Sequence, residues 1–215
     1  KKTVYAEVEY IDVAGFSGDK ESSVENEIPA VLRECDALAH VVRAFANDEV
    51  LHPKGSINVK RDIETLDDEL VFADLLLIEK RIDRVERQAK MIKDDKIKHE
   101  YEVLKKVKDA LEANTPLRTV ELTAEEQKVI RGFQFLSQKP LMVIINVGED
   151  NIGDIDKFTQ EYAFVREKAH TDLAVVCGKI EMELAQLSEE DRQSFMKDLG
   201  ITQSALDLVI RKSYD

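Results

Sequence analysis

The stretch "PLMVIINVG" (140–148) is apolar at nearly every position between a proline and a glycine. Its length and its Val/Ile content predict a strand buried on both faces. Two other apolar runs share this character, "ALAHVVRAF" (37–45) before it and "LAVVC" (173–177) after it. The first of these is also expected to be covered on both faces. Segments with helical spacing lie between the runs. Strands alternating with helices predict an α/β fold with a parallel-rich sheet.

The outer parts of the chain fit that frame. Residues 4–13 alternate and then turn apolar, as a strand does, with Gly15 and Gly18 punctuating its end. A polar loop follows over 17–27, and residues 32–36 close a short helix. Beyond "PLMVIINVG" an amphipathic helix is expected around 155–168. Two short helices, about 188–198 and 202–212, end the chain, with Thr202 as the cap of the last.

The middle of the chain has a different period. From about Val59, residues Ile63, Leu66, Leu70, Ala73 and Leu77 step by three and four. After a one-residue offset, Ile78, Ile82, Val85, Ala89 and Ile92 continue the stepping. This is a long helix with a coiled-coil-like seam. "KDDK" (93–96) supplies a tip, and Ile97, Tyr101, Leu104 and Leu111 form the stripe of a returning helix that Pro116 stops. Thr123 and Glu126 then form a capping box for a third helix. The expected organisation is an α/β unit from 1–58 and 137–215, interrupted by an antiparallel helical hairpin over 59–136.

Composition narrows the function. The 215 residues are 43% hydrophobic, enough for a core. With 31 Lys and Arg against 44 Asp and Glu, the net charge is −13, which argues against a generally nucleic-acid-binding surface and against DNA as a partner. The hairpin reverses that sign locally, with 11 Lys and Arg against 6 Asp and Glu over 80–108. That excess suits either a solvated coiled coil or an arm contacting the phosphates of structured RNA, with Arg84, Arg87 and Lys90 as contact residues. The two cysteines, Cys35 and Cys177, have no metal-ligand spacing and suit a reducing cytosol. No apolar run approaches a membrane span and no signal pattern is present, and with a strand-like start and no initiator Met the sequence is expected to be a fragment.

Several short motifs sit at strand ends. Asp12-x-x-Gly15 reads as a plain strand-to-turn junction or as a carboxylate holding water on Mg²⁺ beside a glycine that admits a phosphate. "NVGE" (146–149) stands where guanine-specific P-loop proteins carry Asn-Lys-x-Asp. Val147 and Glu149 stand in place of the Lys and the Asp and suit guanine poorly, since Glu149 is one methylene longer than the Asp that reads that base. Cys177-Gly178-Lys179 ends the third strand and could offer backbone N–H groups to a base, or Cys177 could simply be a small buried hydrophobe. His40, inside an apolar strand, is expected to be a hydrogen-bonded core histidine. His52, in a loop with Pro53 and Gly55, is better placed for catalysis.

The order of these pieces resembles the Obg-like ATPase (YchF) family of translation-factor-related P-loop NTPases. The resemblance is carried by DxxG, "DALAHVVRAF", "RDIETLDDELVFADL" (61–75), "LTAEEQKVIRGFQFLSQKP" (122–140), NxxE, "GKIEMELAQL" and "LSEEDRQSFMKDLGI" (187–201). It covers essentially the whole chain. The family implies a Ras-like nucleotide-binding domain with a coiled-coil insert, an ATP preference over GTP, Mg²⁺ with the ATP, slow hydrolysis, ribosome or rRNA association through the basic hairpin, and a cytoplasmic setting. It implies Asp12 on the Mg²⁺ side through water, Gly15 at the γ-phosphate, and Asn146, Val147, Glu149, Gly178 and Lys179 on the adenine side. Phe16 stands where related GTPases keep a catalytic Gln, so the family assigns water positioning to a loop histidine, here His52.

Departures accompany the likeness. No GxxxxGK[ST] occurs in the chain, and the glycine- and lysine-rich family stretch after DxxG is replaced by "FSGDKESSVENEIP". In the family the phosphate loop lies upstream of Lys1 and a TGS domain begins beyond Tyr214. The chain as given is therefore expected to hold no nucleotide or Mg²⁺ tightly and to be inactive alone. The alternative function is a binding module with a degenerate nucleotide site, acting through its hairpin.

Overall fold

The computed structural model describes residues 7–13, 29–91, 94–201 and 203–214. Its sheet has three parallel strands in the order β1 (Leu38–Arg43), β2 (Leu141–Asn146), β3 (Thr171–Val176). Leu38 pairs with Leu141 and Leu141 with Thr171, while Arg43, Asn146 and Val176 align at the other end. The three C-termini therefore end level with one another. β2 is central, and its Val143 and Ile145 are fully buried on one face with Ile144 buried on the other. β1 does not follow that pattern. Leu38 and Val42 are buried, but Ala39 is exposed and Val41 is 62% exposed, so β1 is covered on one face only. Its apolar run reflects a strand at the edge of the described sheet, not one enclosed by two layers.

Two helical layers cover the sheet. On one face, α2 (Val59–Met91) packs Val59, Ile63, Leu70 and Ala73 against Leu38, Val42, Val143 and Ile145. On the other, Leu208 and Val209 of α8 (Ala205–Tyr214) meet Ile144, Ala174 and Val176. Thr202 lies outside the described residues. The Ser204 hydroxyl accepts the N–H of Asp207 at 3.1 Å, and the Glu181 carboxylate accepts that of Ala205 at 2.7 Å. Two groups thus cap this helix.

The one-residue offset in the long helix has a clear cause. Up to Ala73 its apolar stripe belongs to the sheet core. Val71, Ile78, Ile82 and Val85 belong to a second core, shared with Val103, Leu104, Val107 and Leu111 of α3 (Asp95–Glu112). At 33 residues α2 is about 50 Å long. It leaves the sheet and continues into the hairpin without a break. Asp94 caps α3 by accepting the Lys96 N–H at 2.8 Å, and Thr123 and Glu126 form the expected capping box on α4 (Ala124–Ile130). Ile92 and Lys93 of the tip lie outside the described residues.

Buried charges fix the direction of α2. Asp74 accepts the N–H groups of Leu136 (3.0 Å) and Ser137 (2.7 Å), just ahead of β2, and the Arg33 guanidinium at 3.2 Å. Arg33 belongs to α1 (Val31–Glu34). Burial pushes the Asp74 carboxyl above the usual range, and the two N–H groups and Arg33 only partly oppose this. Asp67, one heptad earlier, binds the buried Arg118 guanidinium and the Lys168 ammonium (2.9 Å), while Arg118 Nε reaches Thr171 Oγ1 at the start of β3 (3.2 Å). α2 therefore runs from the strand C-termini to their N-termini, and the hairpin projects beyond the N-terminal edge.

Three expectations need correction. Residues 7–13 form no strand. Alternation makes a strand only where a sheet edge receives it, and here Tyr10 instead hydrogen-bonds Ser213 on α8 at 2.9 Å. The helix expected over 155–168 is α5 (Ile155–Glu161) followed by a 3₁₀ turn, Ala163–Glu167. A helix that the periodicity did not mark, α6 (Gly178–Leu184), precedes α7 (Glu189–Asp198). Among the described residues no helix is long and apolar enough to cross a membrane.

Candidate nucleotide-binding site

The loops leaving β2 and β3 meet at the C-terminal edge, the usual place for a ligand on a parallel sheet. Asn146 ends β2, and its side-chain Oδ1 accepts the Gly178 N–H at 2.9 Å. A Cβ at Gly178 would lie 3.3 Å from that oxygen, so a larger residue there would press the Asn146 side chain aside by a few tenths of an ångström. The Asn146 carbonyl accepts the Ala44 N–H and the Val176 carbonyl accepts the Val147 N–H, both at 2.8 Å. Above this seam Lys179 and Glu149 form an ion pair at 2.5 Å with both side chains largely in solvent. The hydrogen bond and charge of Glu149 raise the Lys179 pKa.

Four of the five residues expected on the adenine side are thus joined: Asn146 with Gly178, and Glu149 with Lys179. Val147 is placed differently. Its side chain is 2% exposed and belongs to the sheet core with Cys177, so only its backbone can face a ligand. Gly148 is equally constrained, since a Cβ there would come within 3.1 Å of Phe45 Cβ. The Arg43 guanidinium lies over the Phe45 ring at 5.9 Å and donates to the Val50 carbonyl at 2.8 Å. This ties the loop that carries His52 to the end of β1.

His52 is held by its own chain. Its Nδ1 accepts the Lys54 N–H at 3.1 Å, which places the ring proton on Nε2, and Nε2 stands 3.1 Å from Asp62 Oδ2. The two side chains are 11% and 13% exposed. Asp62 itself lies in the first turn of α2, where Asn58 Oδ1 accepts the Arg61 N–H at 3.0 Å as a cap. No feature of the sequence set Asp62 apart from other helix-start acids. His40 departs from expectation. Its Nδ1 is buried without a hydrogen-bond partner among the described residues, and burial lowers its pKa to about 4 against the pull of Asp67 and Asp62.

On the phosphate side, Asp12 is exposed, and Gly15 and Phe16 lie outside the described residues. Among the described residues no group of three or more His, Cys, Asp or Glu is arranged to hold a metal ion. Arg84, Arg87 and Lys90 are exposed on the hairpin part of α2, away from the C-terminal edge, and Lys90 pairs with Glu86 at 2.8 Å. The structure therefore separates these three from the seam at Asn146.

No family model matches the chain. Individual relatives do. The chain is 40% identical to the ribosome-binding ATPase YchF of Bacillus subtilis, covering all of this chain and 59% of that protein. It is 36% identical to the protein of the same name from Escherichia coli O157:H7, with the same two coverages. The chain spans about three-fifths of the length of these curated relatives. Among solved structures, the Schizosaccharomyces pombe YchF GTPase matches with a TM-score of 0.73 over 85% of this chain and 50% of that one. At 24% identity this last likeness concerns the fold alone. The three-stranded parallel sheet, the long helical hairpin and the relatives that span its whole length lead to one conclusion: the chain belongs to the YchF family.

Proposed function

We propose that this chain is part of an ATP-binding, slowly hydrolysing switch that works with the ribosome in the cytoplasm. In this reading 1–58 and 137–215 form the nucleotide-binding domain and 59–136 the inserted hairpin. Asn146, the Val147 backbone, Glu149, Gly178 and Lys179 line the adenine side. Asp12 holds Mg²⁺ of the substrate through water, Gly15 admits the γ-phosphate, and His52 positions the attacking water. Phosphoryl transfer asks mainly for positioning and charge neutralisation, which these groups could supply to Mg-ATP.

The observation that carries the reading is the Asn146–Gly178 bond with the Glu149–Lys179 pair above it. A guanine reader needs a free carboxylate for two N–H groups on one base edge. Here the Glu149 carboxylate already has an ammonium partner, which disfavours guanine and leaves the Asn146 amide and backbone groups to meet adenine. Calorimetry of Mg-ATP and Mg-GTP on the full-length protein tests this. Tighter ATP binding is expected, and a GTP preference would overturn the adenine assignment.

A second reading is favoured by the exposed Arg84 and Arg87 on an otherwise acidic protein. The hairpin would then be a contact arm for the ribosome or its RNA. Charge reversal at Arg84, Arg87 and Lys90 should weaken salt-dependent ribosome co-sedimentation. Unchanged sedimentation would remove the arm from consideration.

A further inference from the structure

We propose that Asp62 is the positioning residue for His52, an inference that rests on reading His52 as the water-positioning group. The geometry is unusual for a structural pair. Asp62 Oδ2 is buried and makes no hydrogen bond among the described residues, although His52 Nε2 is only 3.1 Å away. The ring N–H is near the oxygen but not aimed along the line between them. A buried carboxylate oxygen left without a donor is costly, and native folds retain few of them.

The other half of the carboxylate is firmly held. Asp62 Oδ1 accepts Arg61 Nε at 2.9 Å, and the same guanidinium grips Ser56 Oγ at 3.0 Å and the Ser56 carbonyl at 2.5 Å. Arg61 therefore fixes Asp62 to the loop that carries His52, and the Asn58 cap fixes that loop to α2. The turn at His52 is closed by the Gly55 N–H donating to the His52 carbonyl at 2.8 Å, with Gly55 at φ +72°. The movement this scheme requires is a rotation of the His52 ring.

That rotation has a chemical consequence. In the proposed active form Nδ1 leaves the Lys54 N–H, which frees its lone pair for a water, while Nε2–H is donated to Asp62 Oδ2. The carboxylate then holds the tautomer with Nδ1 unprotonated, the form that accepts a hydrogen bond from a water. Asp62 acts through His52 and touches no substrate in this scheme.

The test combines kinetics and nitrogen spectroscopy on the full-length protein. His52→Ala is expected to lower kcat for ATP about 100-fold. Asp62→Asn should lower kcat about tenfold or more with KM unchanged, and the double variant should be no slower than His52→Ala. A normal kcat for Asp62→Asn beside a slow His52→Ala overturns the positioning role but leaves His52 standing. Normal turnover in His52→Ala overturns the reading of His52 itself. If the double variant multiplies the two losses, Asp62 acts independently and the proposal fails. Should Asp62→Asn not fold, long-range ¹⁵N spectra of the unmutated protein decide, with His52 assigned by its loss in His52→Ala. They must show the His52 Nε2 proton shifted downfield as one donated to a carboxylate is, and an unshifted Nε2 proton overturns the proposal.

Discussion

The two ends of the sheet are built differently although α2 serves both. At the strand N-termini, Asp67 and Asp74 are buried with every carboxylate oxygen partnered by Arg118, Lys168, Arg33 or a backbone N–H. At the C-termini, Asp62 keeps an oxygen without a hydrogen bond, Lys179 and Glu149 meet in solvent, and the His52 ring accepts one hydrogen bond, from Lys54, with Nε2 merely close to Asp62. One end is a closed polar network and the other retains unused hydrogen-bonding capacity. A network with every group satisfied rigidifies, whereas a partly satisfied one is where movement or chemistry can be accommodated.

The largest effect is expected at the closed end. Asp67→Ala leaves the buried Arg118 guanidinium without its carboxylate and should lower stability by about 3–5 kcal/mol. Urea denaturation followed by circular dichroism measures it. A loss below about 1 kcal/mol would show that the N-terminal network is no tighter than a surface pair.

His40, between the two ends, gives the next effect. Its pKa is lowered to about 4 in the fold, so between that value and about 6.5 the unfolded chain binds the extra proton. Its contribution is intact above about pH 6.5 and falls as the pH drops towards 4, by up to about 3 kcal/mol. The charged groups facing it, Asp67 and Asp62, oppose that loss. Stability measured against pH for His40→Leu beside the parent should show a shallower acid slope in the variant. Asp74, whose raised pKa gives the opposite slope, cancels in the difference.

Smaller effects belong to the open end and the hairpin. Gly178→Ala forces Asn146 to give way and should cost about 1–2 kcal/mol while weakening ATP binding more visibly than stability. Equal ATP affinity in calorimetry would detach the Asn146–Gly178 seam from the nucleotide. Lys90→Ala, removing an exposed pair, should leave the denaturation midpoint unchanged. A shifted midpoint would mean that the hairpin surface is part of the rigid framework after all.

Much of this was legible in the chain. The three apolar runs became the three strands, and the offset between Leu77 and Ile78 lies just past the point, after Ala73, where α2 passes from one core to the next. The strand expected over 4–13 fails over its described part, because alternation reports an amphipathic ribbon but not whether a sheet edge accepts it. Short α6 was missed because seven residues carry too little period to stand out. The candidate site was only partly legible. Strand-end motifs located Asn146, Glu149, Gly178 and Lys179, but pairings across 30 residues or more are tertiary facts. Asp67 and Asp74 did leave a trace, as charges in the phase of an apolar stripe. Asp62 left none, since an acid in the first turn is ordinary for any helix.

The unbroken length of α2 has a mechanical consequence. From Asp62 to Asp74 the helix rises about 18 Å, close to the height of a six-residue strand. From Asp74 to Met91 it extends about 25 Å further, so a tilt of ten degrees pivoting at Asp74 carries the far end through about 4 Å. The same tilt moves Asp62 about 3 Å in the opposite sense. Any tilt about the closed network would therefore displace the hairpin more than the C-terminal edge of the sheet.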